Sequence, residues 1–185
     1  MITVQETILK DCFVIKPHVI SDERGYFYES FNLNAFKKAT GIDTDFVQDN
    51  QSKSSKGVLR GLHFQIGEYE QAKLVRVVKG SVLDVCVDLR PKSETFGKSF
   101  SIILDDKKHE QLFVPRGFAH GFHVLEDDTI FSYKCDNFYN KASERGIIYN
   151  DPKLNIDWHI SKGMNILLSE KDKILPTLDA FLYEN

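Results

Sequence analysis

The stretch KLVRVVKGSVLDVCVDLR, residues 73–90, decides how the rest of the chain is read. Two runs rich in valine and leucine meet at Lys79-Gly80-Ser81, where glycine can adopt the positive φ of a tight turn, so a β-hairpin is predicted here. Alternation in the second run puts Leu83, Val85, Val87 and Leu89 on one face and Val82, Asp84, Cys86 and Asp88 on the other. The first face is apolar; the second mixes carboxylates with apolar groups. Further short runs of the same kind lie on either side: FVQDNQS, VLRGLHFQ, SFSIILD, EQLFVP, FAHGFHVL, TIFSYKC and GIIYN. Many short strands with few helix-period segments predict an all-β barrel or sandwich in a single domain over residues 1–185. Its core is expected over about residues 45–149, with the N- and C-terminal segments packed around it. Helices are expected only at the periphery. Asn32 can cap NLNAFKKAT, and Ser169 with Asp172 resembles a capping box ahead of KILPTLDAF, where Pro176 keeps any helix brief.

Composition excludes several classes of function. Apolar residues make up 42% and charged residues 28% of 185, ordinary proportions for a globular chain. With 24 basic and 27 acidic residues the net charge is -3, and no basic stripe is present, so neither nucleic acid nor membrane is an expected partner. Cys12, Cys86 and Cys135 are odd in number and form no CxxC pair, which argues against a disulfide framework and a structural zinc site. MITVQETILKDC lacks the apolar core of a signal peptide, and a cytoplasmic location is expected.

Several strands carry polar groups where a packed core would not. In GVLRGLHFQ, residues 57–65, strict alternation groups Leu59, Gly61, His63 and Gln65 and sends Arg60 the other way. A bulge at Gly61 would let Arg60 and His63 address one cavity. His120 shares a face with Phe118, Phe122 and Val124, and Tyr133 shares one with Phe131 and Cys135. Buried polar groups need partners, so a ligand-holding cavity inside a barrel is expected.

The segment PRGFAH places His120 after a Pro-x-Gly turn, as in barrels of the cupin class. Metal-binding cupins add an HxH pair and a glutamate from an earlier strand; here that strand reads HFQIGEYE, with Gln65 in place of the second histidine, so no metal is expected. The same residue types suit proton transfer next to a ketone: an imidazole as base, a cation for the enolate and a phenol as acid. His63, Lys73 and Tyr133 fit those roles. A carboxylate on the far nitrogen of His63 would fix its tautomer, and spacing alone leaves Asp84 and Asp172 as alternatives.

The strings SDERGYFYE, FVQDNQSKS, GVLRGLHFQ, QAKLVRVVKGSVLDVCVDLR, FVPRGFAHGF, YKCDNFY, YNDPKLNIDW and LSEKD resemble, in order and over nearly the whole chain, the dTDP-4-dehydrorhamnose 3,5-epimerase family. The resemblance implies a cupin-type jelly-roll barrel with short peripheral helices, a homodimer, no metal or organic cofactor, and a nucleotide-linked 4-keto-6-deoxy sugar as substrate. It implies His63 as the base at C3 and C5, Tyr133 as the acid on the opposite face, and Asp172 as the partner of His63. Lys73 and Arg60 would sit near the ketone oxygen, and His120 would line the sugar site. Arg24, Glu29, Gln48, Asp49, Asn50, Glu144 and Lys171 would contact the nucleotide diphosphate, with Tyr139 stacked on thymine. The chain departs from the family pattern in lacking a proline in IGEYEQ and in carrying Cys135 and Phe138. Relatives with nearly the same constellation epimerise only C3 or act on other keto sugars, and a non-catalytic sugar-binding barrel is the rival from another class. Plainer readings exist residue by residue: His63 as a core imidazole, Asp172 as a helix cap, Lys73 snorkelling to solvent.

Overall fold

The computed structural model describes residues 2–184. In chain order the elements are β1 (Ile2–Glu6), β2 (Phe13–Pro17), β3 (Ile20–Asp22), β4 (Gly25–Phe27), α1 (Leu33–Thr40), β5 (Gln48–Ser54), β6 (Leu59–Gln65) and β7 (Lys73–Lys79). They continue with β8 (Ser81–Asp88), β9 (Ser99–Asp105), β10 (Gln111–Val114), β11 (Phe118–Val124), β12 (Thr129–Cys135), β13 (Glu144–Gly146), α2 (Glu170–Lys173) and α3 (Leu178–Glu184). One sheet has the order β1-β2-β10-β7-β12-β5 and the other β13-β6-β11-β8-β9, while β3 and β4 form a separate hairpin. The two sheets make a jelly-roll barrel of cupin type.

Alternation on β8 divides as its sequence predicts. Val82 and Cys86 face the barrel interior with Val75, Val77, Phe118, Phe122, Val124 and Phe131. Leu83, Val85 and Val87 face outward, and the C-terminal segment covers them with Leu154, Trp158 and Leu178. Both faces of β8 are therefore buried. A third cluster lies where α1 drops Phe36 onto Leu74, Phe113 and Ile15. Asn32 caps α1 by accepting a hydrogen bond from the Ala35 amide, and Gly41 ends it in the left-handed region.

Four expectations need correction. The runs on either side of Gly80 do not form a hairpin: β7 pairs with β10 and β12, whereas β8 pairs with β11 and β9. Gly80, at φ 84°, turns the chain from one sheet into the other, and a Cβ there would strike the Thr129 side chain. The barrel also begins well before residue 45, because β2 pairs with β10 and β1 pairs with β2. The exposed, largely polar alternation of ITVQE on an outermost strand hid this from composition. The strand expected at GIIYN is instead Glu144–Gly146. Ile147 still exchanges two backbone bonds with Leu62, at 3.1 and 3.0 Å, but the Ile148 amide leaves to bond Pro176. Finally, the C-terminal helical region is two short helices, α2 and α3, with Pro176 between them.

The bulge at Gly61 is present. His63 pairs with His120 and Arg60 with Phe122, so Gly121 alone faces both Gly61 and Leu62. Gly61 has φ 117°, and a Cβ on it would lie 2.6 Å from the Gly121 Cα, which no larger residue allows.

Candidate active site

The bulge brings Arg60 and His63 to the same cleft, as predicted, and that cleft of about 780 Å³ opens between the two sheets. His63 and His120 stand on the five-stranded sheet, Lys73, Tyr133 and Asn50 on the six-stranded one, and Lys171 and Asp172 come from α2.

His63 Nε2 lies 2.5 Å from Asp172 Oδ1. The ionised carboxylate only accepts, so Nε2–H donates and Nδ1 keeps the lone pair. Burial pushes the Asp172 carboxyl up, but the hydrogen bonds from His63 and Ser169 and the Lys171 ammonium outweigh it and hold the group below the usual carboxylate value. The Ser169 hydroxyl accepts from the Asp172 amide at 3.1 Å. Two different groups of Asp172 are engaged: its amide is capped by Ser169, and its carboxylate bonds His63. The alternative left open in the sequence closes the same way, since both Asp84 oxygens lie 3.0 Å from His120 Nε2.

Lys73 does not snorkel outward. Its ammonium donates to the His63 carbonyl at 3.5 Å, and burial draws its pKa below the ordinary lysine value against the pull of Cys135, Asp84 and Glu144. Burial likewise pushes the Tyr133 phenol up, helped by Cys135 and opposed by Arg60, so the phenol holds its proton at neutral pH. Beneath them burial raises the Cys135 thiol to about 11. The Arg60 guanidinium is steadied by Ser54 Oγ at 3.2 and 3.4 Å.

One rim carries a linked set. The Tyr139 hydroxyl donates to Glu144 at 3.0 Å, Glu144 pairs with Lys171 at 2.6 Å, and Gln48 accepts from the Tyr139 amide at 3.0 Å. Gln65 is turned to structural use: its amide nitrogen donates to the carbonyls of Tyr69 and Phe138, and its oxygen accepts from the Asn140 amide. Among the described residues no three His, Cys, Asp or Glu side chains are grouped to hold a metal ion.

Three expected contacts are not brought to the cleft of their own chain. Asp49 faces away and pairs with Lys134 at 2.8 Å, because consecutive residues of β5 cannot all face one side. Arg24 sits on the exposed turn between β3 and β4, bound to Asp22. Glu29 is exposed and accepts from the Asn32 side chain at 3.1 Å. Sequence reading had missed Ser54, Val58, Phe122, Leu167 and Leu168 as parts of the site. Phe122 carried a signal in its shared face with His120, and Ser54, Val58 and Leu168 stand within the strings FVQDNQSKS, GVLRGLHFQ and LSEKD, whereas Leu167 carried none.

A cupin-type jelly roll whose cleft holds a carboxylate-paired imidazole, an enclosed ammonium and a largely enclosed phenol is a barrel equipped for proton transfer. The sequence profile described as dTDP-4-dehydrorhamnose 3,5-epimerase matches residues 6–180. The chain is 50% identical over 179 residues to the dTDP-4-dehydrorhamnose 3,5-epimerase of Escherichia coli (strain K12), covering 97% of this chain and 96% of that one. A crystal structure of the enzyme of that name from Elizabethkingia anophelis superposes with TM-score 0.92 at 54% identity, over 97% of each chain. The dTDP-6-deoxy-D-glucose-3,5-epimerase of Legionella pneumophila, solved with dTDP-4-keto-L-rhamnose, gives TM-score 0.94 at 43% identity, over 100% of this chain and 96% of that one. The chain belongs to the dTDP-4-dehydrorhamnose 3,5-epimerase family.

Proposed function

We propose that this protein epimerises C3 and C5 of dTDP-4-dehydro-6-deoxy-D-glucose to give dTDP-4-dehydro-L-rhamnose, as a single cytoplasmic domain spanning residues 1–185. One observation carries the reading: His63 and Tyr133 line the same cleft from opposite sheets, so a flat sugar between them meets a base on one face and an acid on the other. His63 Nδ1 takes the proton from the carbon next to the C4 ketone, and the bonding pair moves to the carbonyl oxygen as an enolate. Lys73, with Arg60 nearby, offsets that charge. Tyr133 returns a proton to the carbon from the other side and recovers its own from solvent, while His63 releases to solvent the proton it took, so both groups are reset for the second carbon. His120, oriented by Asp84, lines the sugar site.

Lys171 takes the diphosphate, Tyr139 stacks on thymine, and Gln48, Asn50 and Glu144 complete the nucleotide rim. Arg24 and Glu29 reach a nucleotide only across a homodimer. Two features support that assembly. β5 is an outermost strand of its sheet, and the β3–β4 hairpin exposes Ile20 by 58%, Tyr26 by 57% and Phe27 by 67%.

Proton NMR of the product formed in deuterium oxide tests the reaction. Label at both C3 and C5 is expected. Label at C3 alone would identify a 3-epimerase, and a bound but unlabelled sugar would identify a binding barrel.

A further inference from the structure

Arg60 is an exposed residue of β6 that lines the cleft. Among the described residues no carboxylate pairs with its guanidinium, and its side-chain hydrogen bonds go to one atom, Ser54 Oγ, at 3.4 and 3.2 Å. Both are longer than the usual N–H to oxygen bond, so the charge is loosely tethered. Strand register fixes where that tether lies. Gln48, Asn50, Ser52 and Ser54 alternate along β5 with the exposed Asp49, Gln51 and Lys53, and so face inward together. Asn50 pairs with Tyr133 of β12, Ser52 with Phe131 and Ser54 with Thr129. Successive inward residues lie about 7 Å apart along a strand. Arg60 is therefore tethered two steps along β5 from the phenol, with Ser52 standing between.

Ser52 lines the cleft, and its hydroxyl is buried with no hydrogen-bond partner among the described residues. A buried oxygen without a donor is costly, and a guanidinium carries donors alone. We propose that Ser52 is a positioning residue for Arg60: when the keto sugar fills the cleft, Arg60 leaves Ser54, donates one N–H to Ser52 Oγ and turns the rest of its planar fork to the enolate oxygen. The proposal rests on the nucleotide-sugar reading above. The negative charge forming at the C4 oxygen draws the guanidinium inward, which a neutral hydroxyl at Ser54 opposes only weakly. Ser52 is only partly buried as a residue, so rotation about χ1 brings its oxygen from the wall to the cleft.

A double-mutant cycle on turnover of the dTDP keto sugar tests this. Ser52→Ala removes an oxygen that has no partner, so Tm should hold or rise, and affinity for dTDP by calorimetry should be retained. In the same variant kcat should fall about tenfold with KM within about twofold of wild type. In an Arg60→Ala background, Ser52→Ala should cost less than about twofold more, because the hydroxyl acts through the guanidinium. A wild-type kcat in Ser52→Ala, or a fall in Tm that accounts for the lost rate, would overturn the proposal. So would the same tenfold loss with Arg60 already removed, which would give the hydroxyl directly to the sugar. Wild-type protein that binds dTDP but takes up deuterium at neither C3 nor C5 would instead remove the epimerase reading, and the role of Ser52 with it.

Discussion

Asp84 and Asp88 lie on the same face of β8, and both are fully buried, yet they do different work. Asp88 is saturated. It accepts from the Arg90 guanidinium at 3.0 and 2.8 Å, from the Arg90 amide at 3.0 Å, and from Ser93 and Thr95 at 2.5 and 2.6 Å. Arg90 then reaches on to Asp11 and the Lys10 carbonyl, tying the turn before β2 to the closed end of the barrel. Asp84 makes side-chain bonds to His120, at the open end where the cleft begins. The contrast teaches that burial of a charge does not mark a working group. A carboxylate whose lone pairs are all taken by fixed donors is structural, whereas one that orients a ring lining a cavity is available to chemistry.

The largest expected effect is at the open end. His63→Asn should lower kcat/KM by about a thousandfold and abolish deuterium uptake while leaving Tm within about 2 °C, because the ring lines the open cleft, its side chain 26% exposed, and asparagine keeps a polar group there. Persistent exchange in that variant would remove the base and erase the functional side of the contrast. Asp172→Asn should follow, with a loss of about a hundredfold in kcat from an imidazole no longer held in one tautomer. Stability measurements then probe the closed end. Burial pushes the Asp88 carboxyl up, but Arg90, Ser93 and Thr95 outweigh it and bring the pKa from 3.8 to about 2. That group stabilises the fold above its unfolded value, and the contribution fades as pH falls from 3.8 toward about 2. Asp88→Asn should therefore cost about 2 kcal/mol in urea unfolding at neutral pH, flatten the acid limb and spare kcat/KM. An Asp88→Asn enzyme that kept its stability and lost turnover would reverse the assignment. The smallest expected effect is on the alkaline limb of kcat/KM. Burial lowers the Lys73 pKa from 10.5, so the charge that faces the enolate is lost, and activity should fall, below the ordinary lysine range. In Lys73→Arg that limb should move upward, since a guanidinium does not titrate there; a limb that stays in place would assign it elsewhere.

Much of this was legible in residue order. Val82, Asp84, Cys86 and Asp88 share an inward face because strand side chains alternate whatever the partner strand is. Gly61 announced a bulge, since glycine inside an apolar strand marks close backbone approach. The capping signals at Asn32 and Ser169 are local and were read correctly. The same periodicity should also have set Asp49 apart from Gln48 and Asn50, but there the motif outweighed it.

Local pattern and the resemblance together specified an all-β chain of short strands, its alternating faces, its two helix caps and the residue types of a proton-transfer site. Tertiary packing decided which strands pair, turning the apparent hairpin at Gly80 into a crossing between sheets. It also chose among the carboxylates, giving Asp172 to His63 across 109 residues of chain and Asp84 to His120. The division has a physical cause. Periodicity and capping act over a few residues, so they are written in neighbouring letters; strand partners and hydrogen-bond partners form only when distant segments compete to cover the same apolar faces, and that competition is settled in three dimensions.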